Sequence, residues 1–230
     1  MKQMIDEWRH VFKLDPDKVI SNEDLDAVCM SGTDAVMIGG SSGVTYDNTV
    51  DLLSRVRQYE VPCVLEISEL DAVVPGFDLY MIPMVLNTPR AEWIIGRHQQ
   101  AIERYGYIIP WDLVVPEGYI ILNPESTAAK LTGAIGGLSI SESAAYAQTA
   151  DKLMSLPVIY MEYSGTFGDM ELVSSVRRSL SRSRLFYGGG ITDTKTARLA
   201  ADAADTIIVG NIIYTNLAQA LTTVSAVKDL

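Results

Sequence analysis

Cysteine and long apolar runs are scarce in this chain of 230 residues. Cys29 and Cys63 lie in apolar segments without CxxC or CxxH spacing, so we expect two reduced core thiols. His98 has only Glu103 nearby as a further metal-ligand type, which disfavours a metal role. No uninterrupted apolar run reaches about 18 residues, and residues 1–7 lack the apolar core of a secretory signal. These absences predict a cytoplasmic protein with no disulfide and no stable membrane anchor.

Positive charge is also in short supply. The chain has 18 Lys and Arg against 29 Asp and Glu, a formal net charge of -11. Binding to a nucleic-acid backbone needs a basic footprint, so we exclude nucleic acid as a partner. A small phosphate ligand stays compatible with this charge, because surface charges are screened over about 8 Å at physiological salt whereas donors in a site act at contact distance.

Apolar segments that end in glycine recur along the chain. Residues 185–192 (LFYGGGIT) and 207–211 (IIVGN) each have the pattern of a buried strand that breaks into glycine just before a helix-like segment. Backbone N–H groups at such a break are free to bind an anion. Two adjacent phosphate cradles near the end of the chain are typical of the last two loops of a (β/α)8 barrel, and the length suits one barrel domain over residues 1–230.

One predicted connection is too short for an ideal barrel. Strand three is predicted over residues 62–67 and strand four over 78–83, and the segment 68–76 between them contains Pro75. We therefore predict a modified (β/α)8 TIM barrel whose third helix is shortened or replaced by an extended segment. The resulting gap in the outer ring is a place where a long apolar ligand could leave the mouth of the barrel.

Three later segments give further expectations. Residues 87–105 have the composition of one long helix that includes Ala101, and strand five is predicted over 118–122. The connection over 123–134 is long and rich in small residues, which favours a mobile lid over a packed element. Ser139, followed three residues later by Glu142, forms a capping box that predicts the start of the next helix.

Charged and hydroxyl side chains stand near the predicted strand ends. Lys13 and Asp15 share one face of the first strand because side chains alternate with period two. A rim salt bridge explains the pair, but so does a site in which Lys13 meets a phosphate and Asp15 binds magnesium, which takes carboxylate and phosphate oxygens. Ser41, in a glycine-rich loop after strand two, is either a ligand hydroxyl or a solvated turn serine. Glu162, among apolar neighbours on strand six, is either a general base of raised pKa or a structural acid paired with Lys13.

Five motifs together resemble the bacterial heptaprenylglyceryl phosphate synthases, which belong to the wider geranylgeranylglyceryl phosphate synthase family. The likeness extends over essentially the whole chain. Its motifs are residues 12–16 (FKLDP), 39–41 (GGS), 160–165 (YMEYSG), 186–191 (FYGGGI) and 208–211 (IVGN).

The resemblance implies a modified barrel, usually a homodimer, that joins a polyprenyl diphosphate to sn-glycerol 1-phosphate with the help of magnesium. The products are an ether-linked prenylglyceryl phosphate, formed at the C3 hydroxyl, and diphosphate. Archaeal members carry a bulky residue that shortens the lipid groove at the position matched by Ala101, so the resemblance favours a heptaprenyl donor here. Tyr105 is expected to flank the same groove.

The resemblance also implies a role for each matching residue. Lys13 is expected to contact the glycerol phosphate and to act in catalysis with Glu162, which would accept the hydroxyl proton or stabilise the allylic cation. Asp15 and Ser41 are implied as the Mg2+ ligands. The implied glycerol-phosphate wall is Tyr160, Met161, Glu162, Tyr163, Ser164 and Gly165, and the implied phosphate donors are Gly190, Gly210 and Asn211.

Two other classes of function stay open at the level of sequence. A sugar-phosphate isomerase or aldolase needs an acid–base pair or a Schiff-base lysine at the mouth, and only Lys13 could be that lysine. A non-catalytic module could instead bind a prenyl lipid or a phosphate without turning it over.

Overall fold

Eight parallel strands close into a barrel in the order in which they occur in the chain, and the last strand pairs with the first. The structure is a computed structural model that describes residues 2–228, with side chains from residue 4 onward. Register is continuous around the closure, with Lys13 opposite Met37 on one side and Phe12 opposite Val209 on the other. The strands are β1 His10–Leu14, β2 Ala35–Ile38, β3 Cys63–Glu66, β4 Leu79–Val85, β5 Val114–Ile121, β6 Val158–Glu162, β7 Arg184–Gly188 and β8 Thr206–Val209.

Helices alternate with these strands and cover the outside of the barrel. The capping box predicted at Ser139 and Glu142 is present. Ser139 is the N-cap, and the helix begins directly after it at Ile140. The helices are α1 Lys2–Asp6, α2 Asn22–Cys29, α3 Tyr46–Val56, α4 Gly96–Tyr105, α5 Thr127–Thr132, α6 Ile140–Gln148, α7 Met170–Ser179, α8 Thr194–Ala203, α9 Ile212–Thr215 and α10 Leu217–Lys228.

The gap predicted after strand three is confirmed. Only a single 3-10 turn, Leu70–Ala72, stands between β3 and β4 where an ideal barrel has a full helix. The predicted modified barrel is therefore the observed fold. Among residues 2–228, no helix combines the length and the apolar composition needed to cross a bilayer.

The predicted helix over 87–105 is wrong in its first half. A 3-10 turn occupies Ala91–Trp93, and α4 begins only at Gly96. Pro89 disfavours a helical conformation at the residue before it. In addition, the buried Asn87 side chain bonds to β5, donating to Ile121 O at 2.7 Å and accepting from Ile121 N at 3.0 Å. This segment is therefore tied to the barrel wall.

Two further expectations beside this segment need correction. Strand β5 begins at Val114, four positions before the predicted Gly118, because Val114 and Pro116 already pair with β4. The supposed lid over 123–134 contains α5, capped by Ser126, and Thr88 Oγ1 donates to Thr132 O at 2.7 Å. Because α5 packs against the segment that contains Thr88, residues 123–134 form a packed element and not a lid. The weak periodicity of this stretch did not predict the helix.

The core has an inner and an outer layer. Inside the barrel, apolar strand residues meet Ile5 and Trp8 from the N-terminal segment, which closes the floor. Outside, the alternate strand residues pack under the helices. Cys29 and Cys63 are buried free thiols, and burial raises the pKa of each to about 12.

His10 ties the start of β1 to the C-terminal helix. Its ring is fully buried, with Nδ1 2.9 Å from Thr33 Oγ1 and Nε2 2.9 Å from Thr223 Oγ1. Burial lowers the pKa of His10 to about 3, although Asp34 opposes the shift. The folded protein therefore holds this imidazole neutral.

A pH-dependent stability follows from this lowered pKa. The unfolded chain binds a proton at His10 near pH 6.5 but the folded chain only near pH 3, so acid favours unfolding. We expect this residue to reduce the free energy of unfolding by up to about 1.4 kcal/mol per pH unit as pH falls through that window. Urea unfolding of wild type and His10→Gln at about pH 7 and about pH 5 measures the difference.

The second histidine supplies the control for this experiment. His98→Gln should keep the wild-type pH slope, because the His98 ring is only partly buried and bonds to a backbone oxygen, Pro83 O at 2.9 Å, whereas the His10 ring is fully buried. Equal slopes in wild type and His10→Gln would contradict the assignment.

Candidate active site

One continuous cavity of about 1180 Å³ opens at the carboxyl ends of the strands. All predicted site residues line it except Met161 and Tyr163. Those that line it are Lys13, Asp15, Ser41, Tyr160, Glu162, Ser164, Gly165, Gly190, Gly210 and Asn211. Positions far apart in the sequence are thus brought to one rim, as a parallel barrel requires of its strand ends.

Met161 and Tyr163 lie on the other side of the barrel wall. Met161 is fully buried in the outer core, and the ring of Tyr163 packs 6.0 Å from that of Tyr187. Alternation along β6 explains the difference, because Val158, Tyr160 and Glu162 point inward while Ile159 and Met161 point outward. The six-residue wall therefore presents two inward strand side chains, followed by the Ser164–Gly165 turn.

Lys13 makes its ion pair with Glu66, the last residue of β3. The Glu66 side chain is only 6% exposed and also accepts a hydrogen bond from the Tyr119 hydroxyl. Sequence reasoning missed both partners. A glutamate in the otherwise apolar strand 62–67 was a usable signal, since a carboxylate in a buried strand needs a partner.

The charge on Lys13 is stabilised within the barrel. Burial by itself would lower the pKa of Lys13, but the nearby carboxylates of Glu66 and Glu162 outweigh burial and raise it. A lysine that forms a Schiff base must instead lose its proton easily. This environment disfavours the aldolase alternative.

Glu162 stands beside this pair without being the hydrogen-bond partner of Lys13. The side chain is buried, and its Oε1 accepts from Ser164 N at 2.6 Å. Burial raises the pKa of Glu162, while the positive charge of Lys13 and the Ser164 hydrogen bonds act in the opposite direction. The environment therefore suits a proton acceptor, and the direct Lys13–Glu162 pair of the alternative interpretation is replaced by Lys13–Glu66.

Two stacked tyrosines support the charged groups from below. The rings of Tyr119 and Tyr160 lie 4.4 Å apart at an interplanar angle of 10°, and Lys13 Nζ is 5.8 Å from the Tyr160 centroid. Glu117 is also buried inside the barrel, where burial raises its pKa well above the ordinary value and neither carboxyl oxygen has a hydrogen-bond partner within residues 2–228. Burial thus favours the neutral form of Glu117.

Asp15 and the Gly40–Ser41 loop form the adjoining part of the rim. Asp15 N donates to the Tyr214 hydroxyl at 2.8 Å, and Asp15 Oδ1 accepts from Asp17 N at 3.1 Å. A Cβ atom at Gly40 would lie 2.5 Å from Asp15 Oδ1, so only glycine lets the loop approach the carboxylate this closely.

This donor set fits magnesium better than a metal held by the protein alone. Within the described residues 2–228, no three or more His, Cys, Asp or Glu side chains come together as a potential metal site. The rim offers one carboxylate, Asp15, and one hydroxyl, Ser41. Mg2+ is commonly bound in this way, by one or two carboxylates together with substrate phosphate oxygens and water.

The part of the rim that follows β7 is a glycine turn. Gly190 has φ 58°, a left-handed conformation, and a Cβ there would lie 2.2 Å from Phe167 N. Gly210 follows β8 and stands next to the Lys13 backbone, with its virtual Cβ 3.4 Å from Lys13 O. Gly190, Gly210 and Lys13 thus line the same cavity, and glycine backbone together with an ammonium group suits a phosphate.

An apolar arm of the cavity runs away from this polar end. It passes the place of the missing helix and reaches Ala101 and Tyr105 on α4, then Ile108 and Trp111 beyond it. The whole cavity exceeds the range of roughly 300–1,000 Å³ that is usual for small-molecule pockets. One continuous cavity thus joins a charged rim to the long apolar arm.

Known proteins resemble the chain over its whole length. A heptaprenylglyceryl phosphate synthase from Bacillus pumilus is 55% identical over 97% of this chain and 97% of the relative. The enzyme of the same name from Geobacillus kaustophilus is 53% identical over 97% of this chain and 93% of its own.

Solved structures agree on the fold. The (S)-3-O-geranylgeranylglyceryl phosphate synthase from Thermoplasma acidophilum, solved with sn-glycerol-1-phosphate, superposes with a TM-score of 0.86 at 23% identity, covering 100% of this chain and 96% of that one. The profile described as the PcrB family matches residues 3–228. The chain therefore belongs to the PcrB family.

Proposed function

We propose that this protein is a prenyltransferase that joins heptaprenyl diphosphate to the C3 hydroxyl of sn-glycerol 1-phosphate. The observation that carries the proposal is the single cavity with a Lys13–glycine phosphate cradle at one end and an apolar arm at the other. The two heptaprenylglyceryl phosphate synthases that are 53% and 55% identical to this chain support the same activity.

Glycerol phosphate fits the polar end of the cavity. Lys13 supplies a charged donor, and the chain at Gly190, Gly210 and Asn211 supplies a close backbone approach. Glu66 and Tyr119 fix the ammonium, which reduces the entropy lost when it meets a phosphate. We assign the phosphate to these residues and the glycerol hydroxyls to the side of Glu162.

The diphosphate fits beside Asp15. Asp15 and Ser41 would hold Mg2+ there, and bound Mg2+ would offset the negative charge that grows on the leaving diphosphate. The Tyr214 hydroxyl holds the Asp15 backbone and the Asp17 amide donates to Asp15 Oδ1, so the carboxylate is oriented before any ligand arrives. The apolar arm holds the prenyl chain, so its reactive carbon is placed at the rim.

The proposed reaction forms one C–O bond and breaks another. The C3 oxygen bonds to the first carbon of the prenyl chain while the bond from that carbon to the diphosphate oxygen breaks, and the diphosphate keeps the electron pair. Glu162 accepts the hydroxyl proton, a role suited by its buried position and raised pKa. The stacked Tyr119 and Tyr160 rings lie under the reacting groups, where their faces favour a developing cation.

A direct assay tests the proposal. Purified protein is mixed with Mg2+, labelled polyprenyl diphosphate and either enantiomer of glycerol phosphate, and ether product and diphosphate are measured together. We expect both products only with sn-glycerol 1-phosphate. Binding without diphosphate release would support the non-catalytic module instead, and borohydride trapping of a carbonyl substrate on Lys13 would support an aldolase.

The donor length should depend on Ala101. Its small side chain lines the apolar arm, so Ala101→Trp would fill the channel partway along its length. We expect turnover of heptaprenyl diphosphate to fall by at least about tenfold, the order expected for a blocked hydrophobic subsite, with farnesyl and geranylgeranyl diphosphates still used. Competition assays with the three donors measure the ratio.

The matched control is Gln100→Trp. Gln100 is the neighbouring residue on α4 but is exposed and does not line the cavity. This variant should keep the wild-type donor preference. An unchanged heptaprenyl preference in Ala101→Trp would show that the chain takes another path.

The homodimer implied by the family resemblance is part of the proposal. Tyr107, Ile108 and Trp111 are exposed apolar side chains close together in sequence, next to the apolar arm. Clustered exposed apolar residues are typical of protein interfaces, which supports self-association. Light scattering at micromolar concentration measures the oligomeric state.

A further inference from the structure

Lys18 lies between the two parts of the rim that the proposed function assigns to different substrates. Its Nζ donates to Asn211 Oδ1 at 2.8 Å and is 4.0 Å from Asp15 Oδ2. The ammonium also sits over the Tyr214 ring, 5.0 Å from the centroid. One cation thus contacts a residue of the diphosphate side and a residue of the glycerol-phosphate side.

Lys18 acts from behind the cavity wall. Asp15, Asn211 and Tyr214 line the cavity, whereas Lys18 does not. By occupying Asn211 Oδ1, the lysine leaves the amide Nδ2 of Asn211 available as a donor. Its own position is set by a tight turn in which Lys18 N donates to Asp15 O at 3.0 Å. Lys18 therefore acts on a bound ligand only through Asp15 and Asn211, the residues that it contacts.

Tyr214 completes the arrangement. Its hydroxyl accepts from Asp15 N at 2.8 Å and is placed to donate to Asp15 O at 3.3 Å. Because Tyr214 and Asn211 both follow β8 while Asp15 follows β1, these contacts lock the barrel seam where the two strands meet. These contacts fix the distance between the proposed metal site at Asp15 and the proposed phosphate site at Asn211.

We propose that Lys18 is a positioning residue that holds Asn211 for the phosphate of the acceptor and opposes a divalent cation at Asp15. The inference rests on the proposed magnesium and phosphate sites. A positive charge 4.0 Å from a carboxylate oxygen competes with a metal for that carboxylate. The same charge favours a phosphate dianion near Asn211, so its two effects on binding have opposite signs.

This opposition gives a test that a purely structural residue would fail. Lys18→Met keeps the length of the side chain and removes its charge. In the absence of donor, we expect Mn2+ alone to bind about two- to fivefold more tightly, and sn-glycerol 1-phosphate alone to bind about two- to fivefold more weakly, the size expected of a partly exposed charge pair. Electron paramagnetic resonance of free Mn2+ and calorimetry of glycerol phosphate measure the two constants.

Three further variants make the result specific. Lys18→Arg keeps the charge and should bind both ligands nearly as wild type does. Lys152→Met removes an exposed lysine just before β6, at the other end of the barrel, and should change neither constant. Asp15→Asn should lose Mn2+ binding if the metal site is correct.

The outcomes separate the inference from the function on which it rests. Opposite shifts in Lys18→Met, restored in Lys18→Arg, support the proposal. Parallel weakening of both ligands, or no change in either, overturns it even when Asp15→Asn behaves as expected. Unchanged Mn2+ binding in Asp15→Asn instead refutes the metal assignment itself.

Discussion

Asp15→Asn is expected to reduce kcat at least about a thousandfold while leaving the barrel folded, because loss of metal assistance to the leaving group removes several kcal/mol of transition-state stabilisation. Asparagine keeps the shape of the side chain and an oxygen able to accept from Asp17 N, so local structure should persist. The substitution removes the negative charge, the feature that a divalent cation needs most. Single-turnover kinetics with heptaprenyl diphosphate measures the effect.

A folding measurement and a matched variant are the controls for Asp15→Asn. Circular dichroism and the urea midpoint should match those of wild type, since Asp15 N still reaches the Tyr214 hydroxyl. Asp24→Asn makes the same chemical change on the exposed face of α2 and should keep full activity. Retained turnover in Asp15→Asn with a normal fold would remove Asp15 from the metal site.

Lys13→Met is expected to have the largest combined effect on activity and stability. Glu66 would keep only its Tyr119 contact and become a buried carboxylate without a cation, a change that typically costs about 3–5 kcal/mol. Loss of the phosphate contact should at the same time lower kcat/KM by at least about a hundredfold, as expected for a charged hydrogen bond to substrate together with lost positioning. Urea unfolding and steady-state kinetics measure the two effects separately.

A double substitution separates these contributions. Lys13→Met combined with Glu66→Gln removes both charges, so most of the stability should return, because a neutral amide can still accept from Tyr119. Activity should not return, since the phosphate still lacks its cation. Equal stability of the single and double variants would show that the ion pair does not dominate the energetics of the barrel interior.

Much of this architecture was predictable because it depends on local patterns. Apolar segments ending in glycine predicted the late strands and the Gly190 and Gly210 turns, and the short segment 68–76 predicted the missing helix. The alternation rule placed Lys13 and Asp15 at one rim. Local rules failed in residues 87–105, where Asn87 bonds to β5 and a contact made across the fold overrides helix composition.

Assignment of individual side chains to the cavity was less secure. The family resemblance implies one wall over residues 160–165, yet Met161 and Tyr163 face the helices. Alternation along strand six predicts this division, because residues 160 and 162 share one face and residues 161 and 163 the other. Glu66 and Tyr119 were missed for another reason, since neither belongs to a local motif and each becomes meaningful only beside Lys13.

The amino-acid sequence by itself determined the barrel, its missing helix and the residues that gather at the carboxyl ends of the strands, because strand direction and glycine turns are properties of short segments. Only the tertiary structure decided which charge neutralises Lys13, which side chains of β6 enter the cavity and how Lys18 bridges Asp15 and Asn211. Those relations depend on closure of the barrel, which sets residues 53 and 193 positions apart in contact, and separations of that size leave no periodic signal in a single sequence.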